Sequence, residues 1–126
     1  MGVKKKKILI VDDEASFTIM VKLNLEETGR FEVRTENKGL NALAAAKEFC
    51  PDLIFLDVIM PDMAGYEIAA QLGLDDATKN IARIFLTATV DQEDEGEKSR
   101  DGTALYVAKP ITVGKLLKII EQQFRG

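Results

Sequence analysis

Five polar side chains stand where apolar runs end, and their types suit the handling of a phosphoryl group. Ile8-Leu9-Ile10-Val11 runs into Asp12 and Asp13, and Leu53-Ile54-Phe55-Leu56 runs into Asp57. Leu86 is followed by Thr87, and Ala108 by Lys109. A carboxylate can act as a nucleophile and become an aspartyl phosphate. Such a transfer needs positioning and charge neutralisation more than covalent help. A lysine ammonium and a threonine hydroxyl can each bind a phosphoryl oxygen. Carboxylates brought together would repel, and a hard divalent cation with oxygen ligands, Mg²⁺, relieves that. Singly, each residue has an ordinary explanation: Asp13 or Glu14 as a helix cap, Thr87 as a strand-end hydroxyl, Lys109 as a solvated lysine. Their joint occurrence at four run ends favours the chemistry.

For these residues to meet, the apolar runs must be strands of one parallel sheet. A short apolar run bounded by breakers reads as a strand buried on both faces, and ligands bind outside the carboxyl ends of such strands. Ile8–Val11 is the first strand. Phe17, Met20, Val21 and Leu25 then fall at helix spacing, and Gly29 stops that helix. Glu32–Glu36 is a weaker strand suited to a sheet edge. Leu40, Leu43, Ala44 and Ala45 form a second helix ended by Pro51, and Cys50 is expected to pack at its end. The strand of Asp57 follows, then a helix over Ala64–Leu74, a strand over Ile81–Leu86 and a short strand over Leu105–Ala108. Thr112 can cap a last helix whose stripe is Val113, Leu116, Leu117, Ile120 and Phe124. Ile119 falls off that stripe and reads as a contact candidate. This alternation implies an α/β fold with helices on both faces of a parallel sheet. Asp91–Thr103 has no apolar residue, and Asp91, Glu93, Asp94, Glu95 and Glu97 are acidic, so the helix expected there is short or loosely held.

Length, composition and charge bound the function. The length fits a single domain over residues 1–126, and no attached output domain is expected. A net charge of −4 gives no sign of direct nucleic-acid binding. One cysteine fits a reducing compartment, and no apolar run is long enough for a membrane span. There is no histidine, which removes histidine catalysis and histidine-ligated metals. Lys4-Lys5-Lys6-Lys7 reads as a solvated lead-in to the first strand rather than a contact patch.

Ile-Leu-Ile-Val-Asp12-Asp13-Glu14, Asp57-Val-Ile-Met60-Pro61-Asp62-Met63-Ala64-Gly65, Thr87-Ala88 and Tyr106-Val-Ala-Lys109-Pro110 together resemble the CheY-like receiver domain of two-component response regulators. The resemblance implies a three-layer, doubly wound (βα)5 fold with the flavodoxin-like strand order 2-1-3-4-5. It implies that Asp57 accepts a phosphoryl group from a phosphohistidine donor, a sensor histidine kinase or a histidine phosphotransfer protein. Mg²⁺ would be held by Asp12, Asp13, Asp57 and the backbone carbonyl of Ile59. Thr87 and Tyr106 would form the switch pair, and Lys109 would assist at the phosphoryl group. The protein would be a cytoplasmic monomer or weak phosphorylation-dependent dimer that turns over no external substrate and acts on an output partner. The Lys109-Pro110 bond matches one that is cis in the family. Ala82 replaces a frequent proline, and Ile59 and Thr89 stand where the family tunes phosphate lifetime. Ile19 and Leu23 are spaced to make an exposed apolar pair on the first helix, near the acids, where phosphodonors commonly dock.

Two other functions compete. A haloacid dehalogenase-type phosphohydrolase also uses an aspartate after a strand. It needs a second acid two residues later, where this chain has Ile59. A receiver-like interaction module that is never phosphorylated would not require the complete set of acids, Thr87 and Lys109.

Overall fold

A computed structural model of the chain describes residues 4–87 and 105–125. Five parallel strands form one sheet: β1 (Lys6–Val11), β2 (Phe31–Glu36), β3 (Leu53–Asp57), β4 (Ala82–Thr87) and β5 (Leu105–Ala108), in the order β2-β1-β3-β4-β5. The described helices are α1 (Ala15–Glu27), α2 (Ala42–Phe49), α3 (Gly65–Leu74) and α4 (Val113–Arg125). The acidic stretch Asp91–Thr103, Ala88 and Thr89 lie outside the described residues.

Alternation along the strands divides the core in two. Ile8, Ile10, Phe55, Ile84, Leu86 and Val107 pack with Val21 and Leu25 of α1 and with Leu116 and Ile120 of α4. Leu9, Val11, Ile54, Leu56 and Phe85 pack on the other side, with Ala45 and Ala46 of α2 and Ile68 and Leu72 of α3. Central strands are therefore apolar on both faces, which is why β1 and β3 read as unbroken runs.

Several local expectations need correcting. β1 begins inside the lysine run: Lys6 and Lys7 pair with Phe31 and Glu32, and the Lys7 backbone N–H donates to Asp52 at 2.8 Å. Leu40 and Ala44 are exposed, because a 3-10 turn at Gly39–Asn41 precedes α2 and rotates its buried face onto Ala42, Ala45 and Ala46. Cys50 ends α2 in the left-handed region at φ 54°, but it is exposed rather than packed. Ile119 is buried in the core, not a surface contact: it follows Leu116 by three residues and lies beside it on the same face of α4. Thr112 does cap α4, accepting from the Lys115 backbone N–H at 3.2 Å.

Candidate phosphoacceptor site

The parallel register brings the polar run ends to one sheet edge. Val11 pairs with Leu56, Asp57 with Leu86, and Thr87 with Ala108, so Asp12, Asp57, Thr87 and Lys109 leave their strands side by side. Asp13, Asp57, Ile59, Thr87 and Lys109 line one open cleft there. Asp12 is fully buried, Asp57 and Thr87 are buried, and Asp13 is exposed.

Backbone geometry fixes the acids. Glu14 donates its N–H to Asp12 Oδ1 at 2.9 Å, which starts α1 without a side-chain cap from Glu14 itself. Asn37, just after β2, donates from Nδ2 to the Asp12 carbonyl at 2.8 Å and to the Thr18 hydroxyl at 3.1 Å. Below Asp57 the chain turns sharply into α3. The Gly65 N–H donates to the Val58 carbonyl at 2.8 Å, and a Cβ at Gly65 would collide with the Asp57 carbonyl oxygen. Glycine is required there for close approach of two backbones. Asp62 steadies the same turn by accepting from the Gly39 and Leu40 N–H groups at 3.1 and 2.9 Å.

Lys109 supplies the countercharge. Its Nζ donates to Asp12 Oδ2 and Glu14 Oε1, each at 2.8 Å, and stands 3.9 Å from Asp57 Oδ2. Its ammonium also lies 5.1 Å from the centre of the Phe17 ring. Burial disfavours that ammonium, but the hydrogen bonds to Asp12 and Glu14 outweigh it and raise Lys109 above an ordinary lysine. Asp57 is the opposite case. Burial and the charge of Asp12 push its pKa from 3.8 up to about 6, against the pull of Lys109 and the hydrogen bond from the Ile59 backbone. The Lys109–Pro110 peptide is cis.

The donor set fits a hard divalent cation. Carboxylate oxygens of Asp12, Asp13 and Asp57 lie within 4.8 Å of one another, and the chain has no histidine to offer a softer ligand. One lysine among four acids, Asp12, Asp13, Glu14 and Asp57, leaves negative charge that such an ion would neutralise.

Sequence reading did not single out Asn37, Tyr66 or the pairing of Glu14 with Lys109. Glu14 reads as a cap by position, and its bond to Lys109 spans 95 residues. Tyr66, on the first turn of α3, was detectable only as one of the chain's two tyrosines. Its hydroxyl donates to that of the other, Tyr106, at 3.3 Å.

A five-stranded parallel sheet in this order, with acids, a hydroxyl and a lysine on its carboxyl edge, defines a receiver-type signalling domain. The chain belongs to the response regulator receiver domain family, whose sequence pattern matches residues 8–121. It is 34% identical to the polar-differentiation response regulator DivK of Brucella anthropi, over 92% of this chain and 94% of that one. It is 31% identical to the DNA-binding dual master transcriptional regulator RpaA of Synechocystis, over 94% of this chain but 49% of RpaA. The chemotaxis protein CheY4 of Vibrio cholerae superposes with a TM-score of 0.81 at 32% identity, covering 94% of this chain and 98% of CheY4. No described helix is long and apolar enough to cross a membrane.

Proposed function

We propose that Asp57 is the phosphoacceptor of a two-component phosphorelay and that residues 1–126 act as one receiver unit. The observation that carries this is Asp57 itself, a buried carboxylate beside Asp12, with Lys109 3.9 Å away and a pKa raised to about 6. In the transfer, a bond forms between an Asp57 oxygen and phosphorus as the bond from phosphorus to the donor's histidine nitrogen breaks. Asp12, Asp13, Asp57 and the Ile59 carbonyl would hold Mg²⁺, which when bound would neutralise phosphoryl oxygens. Lys109, already at this edge, exchanges part of its pull on Asp12 and Glu14 for the new phosphoryl oxygens. Thr87 and Tyr106 form the switch. The added charge of about −1.5 to −2 draws the hydroxyl of Thr87 and lets Tyr106 move.

The donor is a sensor histidine kinase or phosphotransfer protein that docks on Ile19 and Leu23. Both side chains are exposed, at 54% and 62%, on α1, the helix that follows Asp12 and Asp13. The protein works in the cytoplasm, as a monomer or a weak phosphorylation-dependent dimer, and catalyses only its own phosphorylation and dephosphorylation. Its output partner is read through the switch.

Beryllofluoride, a phosphoryl mimic, tests the assignment. With Mg²⁺ present, fluorine NMR should show a bound fluoride signal that Asp57→Asn abolishes. A bound signal surviving in Asp57→Asn would move the acceptor elsewhere. Ile19→Glu should slow transfer from the cognate donor and not from acetyl phosphate; equal slowing would remove the docking role.

A further inference from the structure

Tyr106 does not stand alone on β5. Phe85 of β4 is its partner across the ladder, and their rings stack with centroids 5.3 Å apart and planes inclined by 24°. Tyr66 also packs on Phe85, with centroids 4.9 Å apart and planes at 50°. Its hydroxyl closes the arrangement by donating to the Tyr106 hydroxyl at 3.3 Å. The three rings thus bridge β5, β4 and the first turn of α3.

The placement of Tyr66 is tied to the acceptor loop. Tyr66 follows Gly65, whose backbone is bonded to Val58 and pressed against the Asp57 carbonyl. The loop leaving Asp57 and the hydroxyl that holds Tyr106 therefore belong to one short stretch of chain. Phe85 is buried at 5% exposure and fixed in the core, while Tyr66 is half exposed at 51%. Stacking on Phe85 positions the Tyr106 ring, and the bond to Tyr66 adds a direction to it.

We propose that Tyr66 is a positioning residue that latches Tyr106 against Phe85 in the unphosphorylated protein and so sets how readily the switch moves. This rests on the reading of Tyr106 as the switch aromatic. Movement of Tyr106 must break the bond to Tyr66 and give up the stack on Phe85. Both interactions exist only in the latched state, so they bias the two-state equilibrium against activation. A hydroxyl pair at a half-exposed position corresponds to a bias of about 2- to 5-fold.

The chain contains two tyrosines and no tryptophan, so ring-labelled tyrosine gives a spectrum of these two residues alone. Tyr66→Phe keeps the ring, removes the hydroxyl and leaves Tyr106 as the sole signal. With Mg²⁺ saturating, beryllofluoride is titrated while the Tyr106 ring resonances are followed by NMR. The latch predicts that Tyr66→Phe shifts the Tyr106 signal before any beryllofluoride is added and lowers the midpoint about 2- to 5-fold. Tyr66→Leu, which also loses the ring, lowers it further. A purely structural role for Tyr66 would change the melting temperature and leave the midpoint where it is; that result overturns the latch while the switch reading stands. If the wild-type Tyr106 signals do not respond although beryllofluoride binds at Asp57, Tyr106 is not the switch and the latch falls with it.

Discussion

At the carboxyl edge of the sheet, Asp12 and Asp57 are buried and share one lysine, whereas at the amino edge Lys4, Lys5, Lys6 and Arg30 lie in solvent. The pairs differ accordingly. Lys109 and Asp12 meet with side-chain exposures of 11% and 0%, while Arg30 and Glu121 meet at 3.1 Å with 53% and 40%. Buried charge is stable only while its partner is present, and removal of one partner is far more costly than at a solvated pair. The carboxyl edge thus holds an excess of negative charge that a divalent cation can relieve. At the amino edge the charges are solvated, and two of its cations lie over ring faces, Lys6 over Phe124 and Arg30 over Phe31.

Substitutions at the two edges should separate them sharply. Lys109→Met leaves Asp12 buried without its cation and should cost about 3 kcal/mol of stability in denaturant unfolding. Gly65→Ala should cost about 2 kcal/mol, because the new Cβ must displace the Asp57 backbone. It should also reduce phosphorylation by acetyl phosphate, measured on the fraction still folded. Asp57→Asn should do the reverse in Mg²⁺-free buffer at neutral pH and stabilise by about 1–2 kcal/mol, since it removes a carboxylate that the fold holds at a cost. Glu121→Ala, at the amino edge, should change stability by less than about 0.5 kcal/mol. An effect at Glu121 as large as that at Lys109 would erase the distinction between the edges.

The raised pKa of Asp57 gives the same comparison a pH axis. Between about pH 4 and 6 the folded protein keeps a proton on Asp57 that the unfolded chain has released, so this group's contribution to stability falls as pH rises through that window. Glu26, Asp62 and Asp75 have lowered pKa values and act in the opposite direction, losing stability as pH falls. The difference between wild type and Asp57→Asn isolates the first effect. Without Mg²⁺, the advantage of the variant should grow from pH 4 to pH 7, and with Mg²⁺ it should shrink. A difference independent of pH would mean that Asp57 is not strained.

Fold and site were legible to different depths. The central strands announced themselves because burial on both faces demands unbroken apolar runs, and the acids, Thr87 and Lys109 stood out where those runs stop. The strand order, by contrast, came from family resemblance. The helices were legible only as stripes. Ile119 was misplaced because a stripe drawn too narrow excludes a neighbour three residues from Leu116. Leu40 was misplaced because a 3-10 turn before α2 changes the helical phase. Cys50 was misplaced because α2 ends at Phe49, and Cys50, in the left-handed region, no longer continues the helical phase. Asn37, Glu14 and Tyr66 act through bonds to residues far along the chain, such as the 40 residues between Tyr66 and Tyr106, and local patterns carry no trace of those.

The most direct measurement is the intact mass of the protein after incubation with acetyl phosphate and Mg²⁺. Asp57 as the phosphoacceptor predicts a single phosphoryl adduct, about 80 Da, that is absent from Asp57→Asn and reduced in Lys109→Met. An adduct of the same yield in Asp57→Asn, or none in the wild type, would contradict it.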